Sequence, residues 1–402
     1  MKKILFVDDN PDMLRSLRRM LRVMRSEWEM EFAGSGREAL ELLEKESYDV
    51  VVSDIRMPDM DGVQLLTEIK KLYPHMVRIA LSGQSDQEMI LKSVGSIHQF
   101  LAKPCDADTL KAVVKRSCTL QNLLSDTTLI QLVSRLESLP SLPSLYLEIM
   151  EELKSPRSSL ARVGNIISKD IGMTAKILQL VNSAFFGIPQ HVSNPAQAAT
   201  LLGIDTIKAL VLSVHIFQQS DLPTIENLDY EILWQHSTFT SILAKKIAVV
   251  EKFDSKAVDD VFMAGLLHDV GILILASGFP AEYHEVMRLT VSEASPIVKA
   301  EKQVLGRTHA EVGGYLMGLW GLSDSIVEAI YFHHFPSECP EIRLSPLTMV
   351  HAANEIEARK SKDIKPELNI DMEYLAKLGI ADRVPAWREI RDDIKQKGEN
   401  RE

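Results

Sequence analysis

Charged or hydroxyl-bearing residues fall directly after short apolar runs at four places in the first 120 residues, and this coincidence constrains the fold more than any other feature. Ile4–Val7, Glu29–Ala33, Tyr48–Ser53, Val77–Leu81 and His98–Ala102 read as strands, the first, third and fourth rich in Val and Ile. Helical periods separate them. Leu14, Leu17, Leu21 and Met24 share one face, Arg37–Lys45 turns Ala39, Leu40 and Leu43 inward, and Val63–Lys70, Asp86–Val94 and a stretch from Asp108 onward follow. Five strand–helix units in series predict an α/β domain, a doubly wound, five-stranded parallel sheet covered on both faces. Right-handed crossovers bring the carboxyl ends of such strands to one edge. Asp8 and Asp9 follow the first strand, Asp54 the third, Ser82 the fourth and Lys103 the fifth.

Three carboxylates brought to one edge repel one another unless a cation neutralises them. Mg²⁺ suits hard oxygen ligands and keeps waters, which leaves positions for a phosphate. A lysine at the same point neutralises one phosphoryl oxygen and a serine hydroxyl donates to another. The set describes a phosphoryl-transfer site built from positioning and charge.

The stretches VDDN (7–10), SDIRMPDMDG (53–62), LSG (81–83) and LAKP (101–104) are similar to the motifs of the receiver domains of two-component response regulators. The resemblance spans residues 1–120 and implies several roles. Asp54 is the phosphoacceptor, phosphorylated by a sensor histidine kinase. Asp9, Asp54 and the Arg56 carbonyl hold Mg²⁺, with Asp8 acting through water. Ser82 and Lys103 bind the phosphoryl group, the Lys103–Pro104 bond is cis, and Phe100 occupies the aromatic switch position.

Composition limits what the remainder does. Of 402 residues, 46% are hydrophobic and 25% charged, the balance of packed domains rather than of disorder. A formal charge of -11 argues against non-specific binding to nucleic acid or anionic membranes. Three scattered cysteines, Cys105, Cys118 and Cys339, form no CxxC pair and fit reduced thiols in a cytoplasmic protein. The opening MKKILFVDDN has lysines and an apolar run, but Asp8 and Asp9 end that run too early for a signal peptide. The longest later apolar run, Ile272–Ala276, is too short to cross a bilayer.

From about Leu129 strand signals stop and long helical periods take over, punctuated by LPSLPS (139–144), Gly187-Ile188-Pro189 and Asp221-Leu222-Pro223. The expected organisation is an α/β domain at 1–120, a helical linker at 121–135, an all-helical domain at 136–385 and a charged, solvated tail at 386–402. The linker belongs to a helix over 106–128 whose weak heptad suits a homodimer contact. Pro195–Ser213 has the outline of a helix-turn-helix around Gly203, but without a basic face it reads as core packing and not as a DNA reader. Asn182, before Phe185-Phe186-Gly187, reads as a helix-terminal hydrogen-bonding residue.

The texts LESLPSLPSLYLEIM (136–150), IISKDIGMTAKILQLVNSAFFG (166–187), PAQAATLLGIDTIKALVLS (195–213), LWQHS (233–237), AGLLHDVGILIL (264–275), HAEVGGYLMGLWGL (309–322), AIYFHH (329–334) and MVHAAN (349–354) resemble the HDOD domain, a divergent branch of the HD phosphohydrolase superfamily. His236, the adjacent pair His268-Asp269, His309 and the pair His333-His334 recur on separate helices, at spacings similar to the metal scaffold of HD-GYP cyclic di-GMP phosphodiesterases. Imidazole and carboxylate together suit Fe, Mn, Zn or Ni. Three departures oppose an enzyme. Asn354 stands where the superfamily has its final acidic ligand, Ile272 stands where a lysine follows the HDxG motif, and FPSECPEIR (335–343) lacks a Gly-Tyr-Pro triad. The reading that follows is a response regulator whose mainly non-catalytic HDOD domain signals by binding a protein partner. The alternative is a receiver-gated, metal-dependent cyclic di-GMP phosphodiesterase or other phosphohydrolase.

Overall fold

The computed structural model describes residues 1–73, 76–82, 97–103, 105–123, 144–155, 159–168, 177, 192, 195–217, 223–319, 321–357 and 370–399. Asp86–Val94, Pro104, residues 124–143 and Asn182 lie outside them, and with them the expected fourth helix of the α/β domain, the cis bond and most of the linker.

In the first domain β1 (Lys2–Val7), β2 (Trp28–Ala33), β3 (Val50–Asp54), β4 (Val77–Ser82) and β5 (Gln99–Ala102) form one sheet of order β2-β1-β3-β4-β5. All four pairings are parallel. Every residue of β3 and β4 is buried, as expected of central strands covered on both faces. Helices α1 (Pro11–Met20), α2 (Gly36–Lys45), α3 (Gly62–Leu72) and α4 (Ala107–Leu123) connect or follow the strands. Asp54 is the last residue of β3 rather than the first beyond it, because the ladder continues to the pair Asp54–Leu81. The helix expected over 106–128 is described from Ala107 to Leu123.

The second domain is all helical. Its first helices are α5 (Ser144–Lys154), α6 (Leu160–Ile167), α7 (Pro195–Leu202) and α8 (Ile204–Phe217). Helices α7 and α8 meet at Gly203, the two-helix outline read from the sequence, and Ala198, Ala199, Ile207 and Leu210 are buried in the core. The centre is α9 (Tyr230–Val250), which packs on α10 (Ser255–Leu267) and on α16 (Pro346–Glu357). Between them run α11 (Val270–Gly278), α12 (Pro280–Ser292), α13 (Ile297–Leu305), α14 (His309–Leu319) and α15 (Asp324–Phe332). Helix α17 (Met372–Lys377) and helix α18 (Val384–Glu399) complete the chain.

The stretch Ser255–Gly278 is long and apolar enough to cross a membrane by length and hydropathy, yet 89% of its window is buried inside the protein. It serves as a core element. The expectation of a solvated tail from 386 is corrected. Helix α18 packs on α9 and α16, Trp387 is fully buried and Ile394 is 3% exposed. Charge density misled because the apolar residues are few and widely spaced, while Trp387 Nε1 and Arg383 both donate to Glu251 at the end of α9.

Candidate functional site

Two clusters stand out, one in each domain. In the α/β domain the strand ends bring Asp8, Asp9 and Asp54 together, with a carboxylate oxygen of each within 4.8 Å of the others. Local structure positions them. Asp8 Oδ1 accepts the Asn10 N–H at 2.9 Å, and Asn10 in turn caps α1. Asp61 and Gln64 form a reciprocal capping box that starts α3 just beyond the loop from Asp54. Gly62 is required there: a Cβ on it would lie 1.9 Å from the Asp54 carbonyl oxygen.

Lys103 Nζ lies 2.9 Å from Asp8 Oδ2 and 2.8 Å from Asp54 Oδ2, so one ammonium spans both acids. Burial pushes the Asp54 carboxyl above its ordinary range despite Lys103. Burial also acts to lower Lys103, but its hydrogen bonds to Asp54 and Asp8 outweigh that effect and leave the ammonium raised. Ser82 is buried at the end of β4, its hydroxyl 3.4 Å from the Leu101 carbonyl. Arg56 follows Asp54 by two residues and its backbone hydrogen bond favours the Asp54 carboxylate. Phe100 is in β5; its side chain lies outside the described residues.

In the helical domain the six predicted groups converge on Asp269. His236 comes from α9, His268 ends α10, Asp269 precedes α11, His309 opens α14, and His333 and His334 follow α15. Asp269 Oδ1 lies 3.3 Å from His268 Nε2, 3.3 Å from His309 Nε2 and 3.7 Å from His333 Nε2. Its Oδ2 lies 3.8 Å from His236 Nε2. His334 Nε2 is 3.0 Å from His309 Nε2. Gly271 lets the start of α11 reach His309, since a Cβ there would lie 1.9 Å from the His309 carbonyl oxygen.

Hydrogen bonds on the far side of each ring set the tautomers. His268 Nδ1 donates to the Gly265 carbonyl and His333 Nδ1 to the Ile330 carbonyl, each at 2.8 Å. His309 Nδ1 donates to Glu301 Oε2 at 2.8 Å. Each ring therefore turns Nε2 toward Asp269. Helix geometry explains the first two: each ring sits one turn beyond the carbonyl it caps.

Burial works against ionisation of Asp269, but His268, His309 and His236 outweigh it and hold the carboxyl well below its usual range. Burial likewise opposes charge on His309, yet Glu301 and Asp269 raise it to about 10. Burial pushes His333 and His334 well below the ordinary imidazole value, and the neighbouring histidines add to it.

The donor set fits a metal ion. His333 Nε2 is buried and makes no hydrogen bond among the described residues. A neutral His333 nitrogen aimed at the Asp269 carboxylate is relieved by a cation between them, and this N/O mixture suits a transition metal. Two overlapping ligand groups form, Asp269–His309–His333–His334 and His236–His268–Asp269, sharing Asp269. The seventh predicted residue, Asn354, joins the cluster through His236: its Oδ1 is 2.9 Å from His236 Nε2.

Sequence reasoning passed over Glu301, Tyr283 and His351. Glu301 is fully buried, accepts from Tyr283 at 2.8 Å and orients His309. A signal existed, since Glu301 interrupts the apolar stripe of Val298, Ala300 and Leu305 on α13. His351 donates to the His333 carbonyl at 2.7 Å and accepts the Asp371 N–H at 2.9 Å, tying the histidine pair to α17.

Two family profiles match the chain. The profile of the response regulator receiver domain matches residues 4–115, and that of the HDOD domain matches residues 139–336. The chain is thus a two-domain protein, an N-terminal receiver followed by a C-terminal HDOD domain, the architecture of two-component signalling.

An uncharacterized protein of Treponema pallidum (strain Nichols) is 26% identical over 272 residues, covering 66% of this chain and 51% of the relative. The transcriptional regulatory protein GlrR of Escherichia coli (strain K12) is 39% identical over 108 residues, covering 27% of this chain and 24% of the relative. The chain spans about half or less of the length of these curated relatives. Among solved structures, an HDOD domain protein of unknown function from Geobacter sulfurreducens superposes with a TM-score of 0.54 at 24% identity. The superposition covers 67% of this chain and 97% of that one, and it shows the fold.

Proposed function

We propose that this protein is a response regulator whose receiver controls a metal-dependent phosphohydrolase centre in the HDOD domain. In the receiver, Asp54 takes the phosphoryl group from a kinase imidazole: a P–O bond to its carboxylate forms as the P–N bond breaks. Mg²⁺ held by Asp9, Asp54 and the Arg56 carbonyl supplies charge neutralisation. Lys103, already on both Asp8 and Asp54, moves its charge onto a phosphoryl oxygen, and Ser82 donates to another. The new charge at Asp54, read through Ser82, biases the equilibrium between two states of the protein.

The observation that carries the output reading is the convergence of His268, His309 and His333 on a single oxygen of Asp269. An ion of Fe, Mn, Zn or Ni bound there supplies Lewis acidity toward a phosphate ester. The chain itself fixes the ring tautomers, excludes bulk water around Asp269, and keeps His333 neutral for ligation. A phosphodiester such as cyclic di-GMP is the substrate class this scaffold suits.

A second reading keeps the HDOD domain as a protein-docking module without turnover. It is favoured by Asn354 in place of an acid and by Ile272, buried at 2% exposure, where a phosphate-binding cation belongs. The test uses untagged full-length protein loaded with Mn²⁺ or Fe²⁺, with and without acetyl phosphate. Hydrolysis of cyclic di-GMP or an aryl phosphate, lost in Asp269→Ala, supports the enzyme. Bound metal without hydrolysis of either substrate favours the docking module.

A further inference from the structure

A hydroxyl buried in a helix ordinarily folds back on a carbonyl of the preceding turn. Ser168 donates in this way to Gly164 at 2.8 Å, Ser241 to Thr238 at 2.7 Å and Thr290 to Val286 at 2.9 Å. Ser237, Thr238 and Thr240 on α9 do not. Their hydroxyls are buried and make no hydrogen bond among the described residues. Ser237 and Thr240 are both 0% exposed. A buried hydroxyl left without a partner keeps the full cost of losing its water, so a pair of them on one helix points to a ligand.

Helix geometry brings two of these hydroxyls together. Ser237 and Thr240 are three residues apart, so their Cβ atoms stand about 5–6 Å from each other on the helix surface. One water bridges that span with two ordinary hydrogen bonds of about 2.8 Å each. Thr238 lies about 100° or more around the helix from both and stands outside the pair. Packing fixes which way the pair faces. Helices α9 and α10 form a hairpin across the short link Glu251–Asp254 and pack on each other. A Cβ on Gly265 would lie 2.8 Å from Ser241 Cα, so the two backbones touch there. In an antiparallel pair the turn before Ser241 meets the turn after Gly265, which sets Ser237 opposite His268-Asp269. Its neighbour His236 has its ring 5.2 Å from that of His268 and its Nε2 3.8 Å from Asp269 Oδ2.

We infer that α9 holds an internal water molecule between Ser237 Oγ and Thr240 Oγ1, beside the histidine–aspartate centre. Buried waters sit where two to four polar groups converge. Two neutral hydroxyls suit a neutral ligand that both donates and accepts, and one water fills the gap between them. Solvent reaches the centre itself very little, with His236 9%, His268 0% and Asp269 5% exposed. Under the phosphohydrolase reading above, on which this clause rests, the site keeps water at hand for a centre that consumes one molecule per turnover. The water site stands on the two hydroxyls alone.

The test joins a crystal structure of the full-length protein to urea unfolding of Ser237→Ala, Thr240→Val and the double variant. The crystal structure is expected to show one water within hydrogen-bond distance of both oxygens. Thr240→Val keeps the shape of the side chain and removes its hydroxyl. That change and Ser237→Ala are each expected to raise the unfolding equilibrium constant of the helical domain by about 5–30-fold. Either substitution releases the same water, so the double variant is expected to raise it by less than the product of the two. A Thr240→Val protein at least as stable as the wild type, effects that multiply, or a protein side chain seated on either hydroxyl would overturn the water site. Where the wild type loaded with Mn²⁺ hydrolyses an aryl phosphate, Thr240→Val is expected to lower kcat and leave KM unchanged. An unchanged kcat would overturn the supply role and leave the water site standing. A wild type without turnover would overturn the hydrolase reading and the supply role with it, while the crystal structure and the unfolding data still decide the water site.

Discussion

Glu301 Oε2 accepts two hydrogen bonds from His309, one from its backbone N–H and one from its ring Nδ1–H, each 2.8 Å long. Tyr283 donates to the other carboxylate oxygen at the same distance. The acid therefore sets both where the ring stands and which nitrogen faces Asp269, the arrangement by which outer carboxylates tune histidine ligands.

Removing that charge weakens the centre without emptying its core. Glu301→Gln keeps the shape and one oxygen acceptor, and its metal affinity is expected to fall by about 10–100-fold. Tyr283→Phe, which leaves the contacts to His309 in place, is expected to cost less. Competition against a chromophoric chelator measures both. Equal affinity in wild type and Glu301→Gln would refute a tuning role.

Each domain has one glycine whose missing Cβ makes room for the site. Gly62 abuts the Asp54 carbonyl and Gly271 the His309 carbonyl, each leaving 1.9 Å for a Cβ. Backbone atoms are on the other side of both contacts, so neither can be relieved by a rotamer change. Gly62→Ala and Gly271→Ala are each expected to destabilise their own domain by roughly 1–3 kcal/mol or more. Urea unfolding followed by a receiver probe and a helical-domain probe separates the two effects.

Phosphorylation is expected to depend on Asp54 alone among the three acids as acceptor. Incubation with acetyl phosphate and Mg²⁺ should add one phosphoryl group to the wild type and none to Asp54→Asn, by intact-protein mass spectrometry. Labelling that persists in Asp54→Asn would move the acceptor to Asp8 or Asp9.

His98, just ahead of β5, makes receiver stability pH-dependent. It is buried, and its Nδ1 accepts the Arg78 N–H at 3.0 Å. Burial pushes its pKa well below 6.5, and the charges of Arg78 and Lys70 push the same way. The folded ring stays neutral where the unfolded chain takes up a proton. Its contribution is complete above pH of about 6.5 and falls by about 1.4 kcal/mol per pH unit as pH drops further, until the folded pKa is reached. The receiver unfolding midpoint should show that slope in the wild type, and His98→Gln should reduce it by one proton's worth. An identical slope in both would assign the acid sensitivity elsewhere.

The C-terminal helix is expected to be part of the domain's stability and not a dispensable tail. Trp387→Ala empties a fully buried site and removes the bond to Glu251, at a cost of about 3–5 kcal/mol. Thermal melts of the substituted protein read that cost directly.

Much of this was legible in the chain because the signals are local. A run such as Val50–Ser53 followed by the helical period of Gly62–Leu72 announces a strand and a helix through side-chain spacing alone. Acids placed directly after such runs are carried to one sheet edge by chain topology, so Asp8, Asp9, Asp54 and Lys103 were recognisable before any coordinates. The histidines were legible as residue types at spacings, but their state was not. Which nitrogen of His309 faces Asp269 depends on Glu301, eight residues away and marked only by an acid in an apolar stripe. The partner that His236 Nε2 meets, Asn354, lies 118 residues further on. The amphipathic helix at Val384–Glu399 was missed for the same reason, its partner Glu251 lying 136 residues before Trp387. Periodicity and turn chemistry are set within a few residues and so are written in the sequence. Tautomers, ligand pairing and the docking of a charged helix are set by groups that meet only once the helices have packed, and only the tertiary structure decides them.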